Sequence, residues 1–179
     1  MAYPVSDTEN GVAPTNAVLE WDFDETGATE PCTVEELKSF ARIDGSSEDA
    51  LIADLGVAAR QLCETYANIS IVERTVNAVV NNSLGGVFLP FGPITGDVTV
   101  YDESDNEVTA TITGVKNKRI EAPNYTYLKA EYTAGYSEVP KAIKTAVLNW
   151  FAYLYSERGD TTNQNSLIEA KKLLKPYRR

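Results

Sequence analysis

Residues 128–155 read LKAEYTAGYSEVPKAIKTAVLNWFAYLY, and the periodicity changes part-way along. Leu128, Ala130 and Tyr132 alternate with Lys129, Glu131 and Thr133, the period-2 pattern of a half-buried strand. Beyond Gly135, Pro140 is a favoured first-turn residue, and Ile143, Val147, Trp150, Phe151 and Leu154 recur at helical spacing. A strand that feeds directly into a helix of about 140–158, ended by Arg158-Gly159, predicts an α+β chain. Ala142, Ala146, Leu148, Ala152, Tyr153 and Tyr155 widen the apolar stripe almost all the way round. Such a helix is either central in its own domain or shared with a neighbouring subunit.

Working towards the amino terminus, residues 70–134 are rich in β-branched residues and turn signals. Ile71 to Val80 reads as a strand, and Val87-Phe88-Leu89 before Pro90 as a short second one. Val98 to Tyr101 and Val108 to Thr113 flank a polar link, the pattern of a hairpin. Together these predict a small antiparallel β domain inserted between helices. Further back, Thr33 with Glu36 is a capping-box signal, followed by Val34, Leu37 and Ala41 at helical spacing, giving a helix of about 34–42. Ser46 or Ser47 is read as the cap of the next helix, about 48–67, with Leu51, Leu55, Ala58, Leu62 and Tyr66 on its inner face. Residues 1–30 show no periodicity and read as an extended arm.

Towards the carboxy terminus, a polar linker precedes a second capping-box signal, Ser166 with Glu169. Leu167, Ile168, Leu173 and Leu174 then make a short helix, about 166–175, that Pro176 stops. Set apart by the linker, this helix needs something to pack on. The sequence thus divides into an acidic arm (1–31), a helical body (32–68 plus 138–160), a β-rich insertion (69–137), and a linker with a basic tail (161–179).

The chain has 179 residues and a net charge of −10, with 43% hydrophobic residues, enough for a substantial core. Histidine is absent, which excludes a Ser-His-Asp triad, a Cys-His pair and a His-containing zinc site. The charge is laid out unevenly: −7 over residues 1–30, −8 over 31–170 and +5 over the last nine. Oppositely charged ends suggest contacts with other chains; the plainer reading is two solvated termini. The basic tail has two further readings, a grip on phosphates or an amphipathic helix docked on an acidic protein. The acidic body, which repels DNA, favours the protein partner.

Cys32 and Cys63 form neither a C-x-x-C pair nor a metal cluster and read as buried small residues. No basic n-region or apolar h-region opens the chain, and the apolar run from Ala146 to Tyr155 falls short of a membrane span, so the reading is of a soluble protein without membrane contact. The run Asp102 to Glu107 lacks the glycine and the final acid of an EF-hand and is read as a hairpin tip. No phosphate-loop motif occurs. Glu64, Glu73, Glu121 and Glu131 are the carboxylates open to acid–base work, but their spacing selects no pair. The reading therefore carries no catalytic residue, metal or cofactor.

Three stretches in order resemble the head–tail connector (adaptor) family of tailed bacteriophages. They are Thr33 to Lys38 with Arg42-Ile43-Asp44-Gly45, Glu48 to Ile52 and Ala58-Ala59-Arg60; Tyr132 to Tyr136 with Val139-Pro140, Ala142-Ile143-Lys144 and Tyr155 to Arg158; and Leu173 to Arg178. The resemblance covers roughly residues 32–179 and implies a structural virion protein of the neck, made in the host cytoplasm, with no catalytic step. It implies a ring of about twelve subunits under the portal protein, extending the channel through which duplex DNA passes during ejection and presenting a platform to downstream tail proteins. It also implies a portal-binding tail at Leu167, Ile168, Leu173, Leu174, Tyr177 and Arg178; deletion of 166–179 is then expected to abolish docking and leave a folded protein. The aromatic helix places a subunit interface at Trp150, Tyr153 and Tyr155. The arm before residue 31 precedes the usual family start. Other readings are a stopper or tail-completion protein of the same neck and, from another class, a carboxylate-dependent hydrolase.

Overall fold

A computed structural model describes residues 18–83, 85–115, 117–156 and 164–178. The chain divides into a β unit, formed by the segment before Gly27 and by Arg74–Gly135, and a helical unit, Gly27–Glu73 with Tyr136–Arg179. The α+β class and the antiparallel β insertion between helices are as the sequence predicts.

The β unit holds a four-stranded antiparallel sheet in the order β1 (Val18–Asp24), β2 (Arg74–Asn81), β7 (Tyr127–Ala134), β4 (Ile94–Tyr101). A second sheet of three strands pairs β3 (Val87–Phe88), β6 (Arg119–Glu121) and β5 (Thr111–Thr113). Alternation is strict in the centre: Val76, Ala78 and Val80 of β2 and Leu128, Ala130 and Tyr132 of β7 are all buried on one face. They share a core with Val87, Leu89, Val100 and Ile120, so the two sheets enclose one apolar interior.

Two readings change here. Residues 18–24, which by sequence read as part of an extended arm, are the edge strand β1, whose Trp21 and Phe23 rings lie 5.4 and 5.0 Å from Phe91. Arg74 closes its end by pairing with Glu25 and stacking 3.8 Å over the Phe23 ring. The hairpin predicted from 98–101 and 108–113 is held only near its turn, by Val108 N–H to the Val100 carbonyl (2.8 Å) and the Tyr101–Glu107 bridge. Thr111–Thr113 then joins β6 in the other sheet. The acidic run between is the hairpin tip, where Asp102 Oδ1 accepts from the N–H groups of Ser104 (2.8 Å) and Asn106 (3.0 Å). The Asn106 and Ser104 donors hold the Asp102 carboxyl below the usual carboxylate range.

In the helical unit, α1 (Val34–Ala41) opens with the predicted capping box: the Thr33 hydroxyl accepts from Glu36 N–H, and Glu36 accepts from Thr33 N–H. The cap of α2 (Asp49–Ala67) is Glu48, without a side-chain capping bond, and not Ser46 or Ser47. Its buried face also differs from the predicted one: Ile52, Gly56, Ala59, Cys63 and Ala67 point inward, while Leu51, Leu55, Ala58, Leu62 and Tyr66 lie half-buried or exposed. Small residues win the inner face because α1 comes close; a Cβ on Gly56 would stand 2.6 Å from Leu37 Cδ1. Helix α3 (Lys141–Ser156) buries Ile143, Ala146, Val147, Trp150 and Phe151 and packs on α1, α2 and α4. That threefold cover accounts for its all-round apolarity: it is central in its own unit.

Candidate docking surfaces

The carboxy-terminal helix α4 (Gln164–Leu174) finds its groove within the chain. Its Ala170 and Leu174 are fully buried in the core of the helical unit, and Leu167, Leu173 and Tyr177 pack against that core. The expectation of a detached tail that needs an external partner is therefore corrected. The physical reason is the breadth of α3, whose apolar surface exceeds what α1 and α2 cover. Of the six residues assigned to portal binding, only Ile168 (48% exposed) and Arg178 face solvent. Arg178 and Lys171 lie 5.4 and 5.7 Å from the Tyr66 ring centroid, a cation–π arrangement that ties the basic end to α2.

The three aromatic residues assigned to a subunit interface also have internal roles. Trp150 is 7% exposed, in the core beside Tyr66. Tyr155 donates its hydroxyl to Glu48 Oε2 (2.7 Å), and Tyr153 is half-buried against the same core. Lys144 of α3 donates to Glu36 Oε1 (2.6 Å), and this bond, with the Thr33 N–H, holds the Glu36 carboxyl below its ordinary range.

One feature of the helical unit leaves only a faint signal in the spacing of the sequence. Arg60 is 1% exposed and grips Glu30 with two nitrogens, Nε to Oε2 (3.2 Å) and NH2 to Oε1 (2.9 Å), while NH1 reaches Glu64 Oε2 (2.9 Å). The other Glu64 oxygen accepts from Ile71 N–H (2.6 Å), and the Ile71 carbonyl accepts from Tyr136 N–H (3.2 Å). The network ties the segments after β1, before β2 and after β7 to the single helix α2. Only the i,i+4 spacing of Arg60 and Glu64 was visible in advance.

Within each unit the carboxylates open to acid–base work have separate surroundings. Glu64 is bound to Arg60 and Ile71, Glu73 is exposed, Glu121 pairs with Arg119 in the smaller sheet, and Glu131 lies on the open face of the larger one. Among the described residues no group of three acids or cysteines is placed to hold a metal ion, and no helix is long and apolar enough to cross a membrane. Both cysteines are buried and reduced; burial pushes the Cys32 thiol up to about 11 and the Cys63 thiol higher still, so neither is poised as a nucleophile.

The open face of the four-stranded sheet carries a different chemistry. Cross-strand register aligns Asp22, Asn77, Glu131 and Thr99 in one row and Glu20, Val79, Lys129 and Tyr101 in the next. A depression of about 450 Å³ lies over these rows, with Asp105 at its edge bonded to Lys129.

These features describe an α+β chain of two units, one helical and one β. The family model for head completion proteins matches residues 31–166, and the chain belongs to that family, in accord with the resemblance to phage head–tail connectors. Three solved structures share its fold. A chain from the neck of an empty GTA particle, computed with C6 symmetry, has a TM-score of 0.69 at 19% identity, with 89% of this chain and 95% of that one covered. A chain from the virion of a native gene transfer agent particle has a TM-score of 0.66 at 20% identity, covering 91% and 94%. A chain from the neck of a native GTA particle, computed with C12 symmetry, has a TM-score of 0.60 at 19% identity, covering 84% and 94%. No curated protein matches the sequence.

Proposed function

We propose that this protein is a structural adaptor of the virion neck, a ring of about twelve copies beneath the portal that extends the DNA channel and gives tail proteins a platform. The observation that carries the reading is the head completion family match over residues 31–166. The reading takes further support from the necks and virion named for chains of the same fold, two of them computed with C6 and C12 symmetry. No catalytic step is assigned. The net charge of −10 suits a channel through which phosphates slide without adhering.

Portal docking falls to the solvent-facing end of the chain. Leu167, Leu173, Leu174 and Tyr177 hold α4 in place, and Arg178, just beyond them, presents the contact. The half-buried edges of Tyr153 and Tyr155 belong to the subunit contact in the same proposal. The test is capture of the full-length protein by the portal of its own particle. Arg178→Glu is expected to lower capture about tenfold, the cost typical of reversing one charge at a contact, while the loss of its cation–π contact with Tyr66 costs no more than about 1 kcal/mol in thermal unfolding. Wild-type capture by this variant removes the carboxy-terminal contact. Failure of the unaltered chain to bind any isolated neck component removes the adaptor reading itself.

A further inference from the structure

A ring of identical chains closes through a heterologous contact, which requires two different, mutually complementary patches on each copy. The described surface offers one such pair. On the open face of the four-stranded sheet, Glu20, Asp22 and Glu131 surround the half-buried Val79 and Tyr101, so the depression there has an apolar floor and an acidic rim. Lys129 is the basic residue in these rows, and it is bonded to Asp105. On α4 and its extension, Ile168, Lys172 and Lys175 follow at i, i+4 and i+7 and share one exposed face, opposite Ala170 and Leu174 in the core. Among the described residues Lys172 is engaged with Glu169 alone, in an exposed i,i+3 pair that costs little to exchange. An aliphatic side chain flanked by two ammonium groups is the chemical complement of an apolar floor with a carboxylate rim.

We infer that the open face of the four-stranded sheet receives the exposed face of α4 from a second copy, Ile168 entering the depression and Lys172 and Lys175 meeting Asp22 and Glu131. The inference rests on the ring reading above and specifies its subunit contact. A second copy is the occupant because each chain carries both halves, so donors and acceptors are equal in number around a closed ring. Duplex DNA does not fit this face, since its phosphates would meet the carboxylates.

The experiment uses two full-length variants, K172E/K175E and D22K/E131K, with ring formation on the isolated portal read by mass photometry and electron microscopy. Each variant alone faces like charge with like and is expected to lose ring yield about tenfold or more. An equimolar mixture pairs the acidic helix of one with the basic sheet of the other, and the basic helix with the acidic sheet; it is expected to restore rings of alternating subunits. Only folded chains can be rescued in this way. Wild-type ring yield from either variant alone overturns the inference, as does a mixture that stays unassembled while both variants keep the wild-type unfolding temperature. If the unaltered protein forms no ring on the portal, the adaptor reading fails and this contact with it; rings from unaltered protein together with rings from each variant sink this contact alone.

Discussion

At the scale of single residues, Arg60 is the largest by volume of the fully buried side chains among the described residues. A buried guanidinium bonded to two carboxylates is tolerated because each of its three nitrogens reaches a carboxylate oxygen: Glu30 takes two bonds and Glu64 one. Removing it leaves Glu64, itself 6% exposed, as a buried carboxylate without its Arg60 counter-charge, still accepting from the Ile71 N–H. Arg60→Leu is therefore expected to destabilise the chain by about 3–5 kcal/mol, measured by denaturant unfolding, although it adds apolar surface. A loss under about 1 kcal/mol would mean that the ion pairs do not hold Glu30 and Ile71 against α2. The sequence concealed this role: Arg60 lies in the quoted Ala58-Ala59-Arg60 stretch, but Glu30 sits thirty residues earlier, in what reads as an unstructured arm.

At the scale of elements, α4 and β1 illustrate opposite failures of local reading. Helix α4 was legible as a helix from Ser166, Glu169 and its leucines, but where it packs was not, because an amphipathic stripe states that a face will be covered and never by what. Leu174 has no exposed surface, so Leu174→Ala is expected to cost about 2–5 kcal/mol in thermal or denaturant unfolding. Deletion of 166–179 is accordingly expected to yield a poorly folded chain, contrary to the sequence expectation, and surface substitutions are the cleaner probes of docking. Strand β1 was illegible altogether. Glu20, Asp22 and Asp24 are poor strand formers, and they mask the alternation of Trp21 and Phe23. Pairing with β2 along its length, and the packing of both rings on Phe91, override that propensity.

At the scale of the whole molecule, electrostatics sets the behaviour towards DNA. With net charge −10 and acids on the open sheet face, the isolated protein is expected to show no salt-sensitive binding to duplex DNA at physiological ionic strength. A shift assay with a steep salt dependence would contradict the channel reading and favour a phosphate grip by the basic end. Lys171 and Arg178 are already placed against Tyr66, which reduces the cations free for such a grip.

What the sequence determined by itself follows from short-range physics. Capping at Thr33, the change of period between Leu128 and Ile143, and the alternation along β2 and β7 each depend on neighbours a few residues away, so the α+β class and the central elements could be read directly. The tertiary structure decided which apolar faces satisfy one another. It turned the small residues of α2 inward against Leu37, filled the rest of α3 with Leu174, drew residues 18–24 into the sheet and joined Arg60 to Glu30. These outcomes depend on groups brought together from distant parts of the chain, and spacing along a sequence carries no record of them.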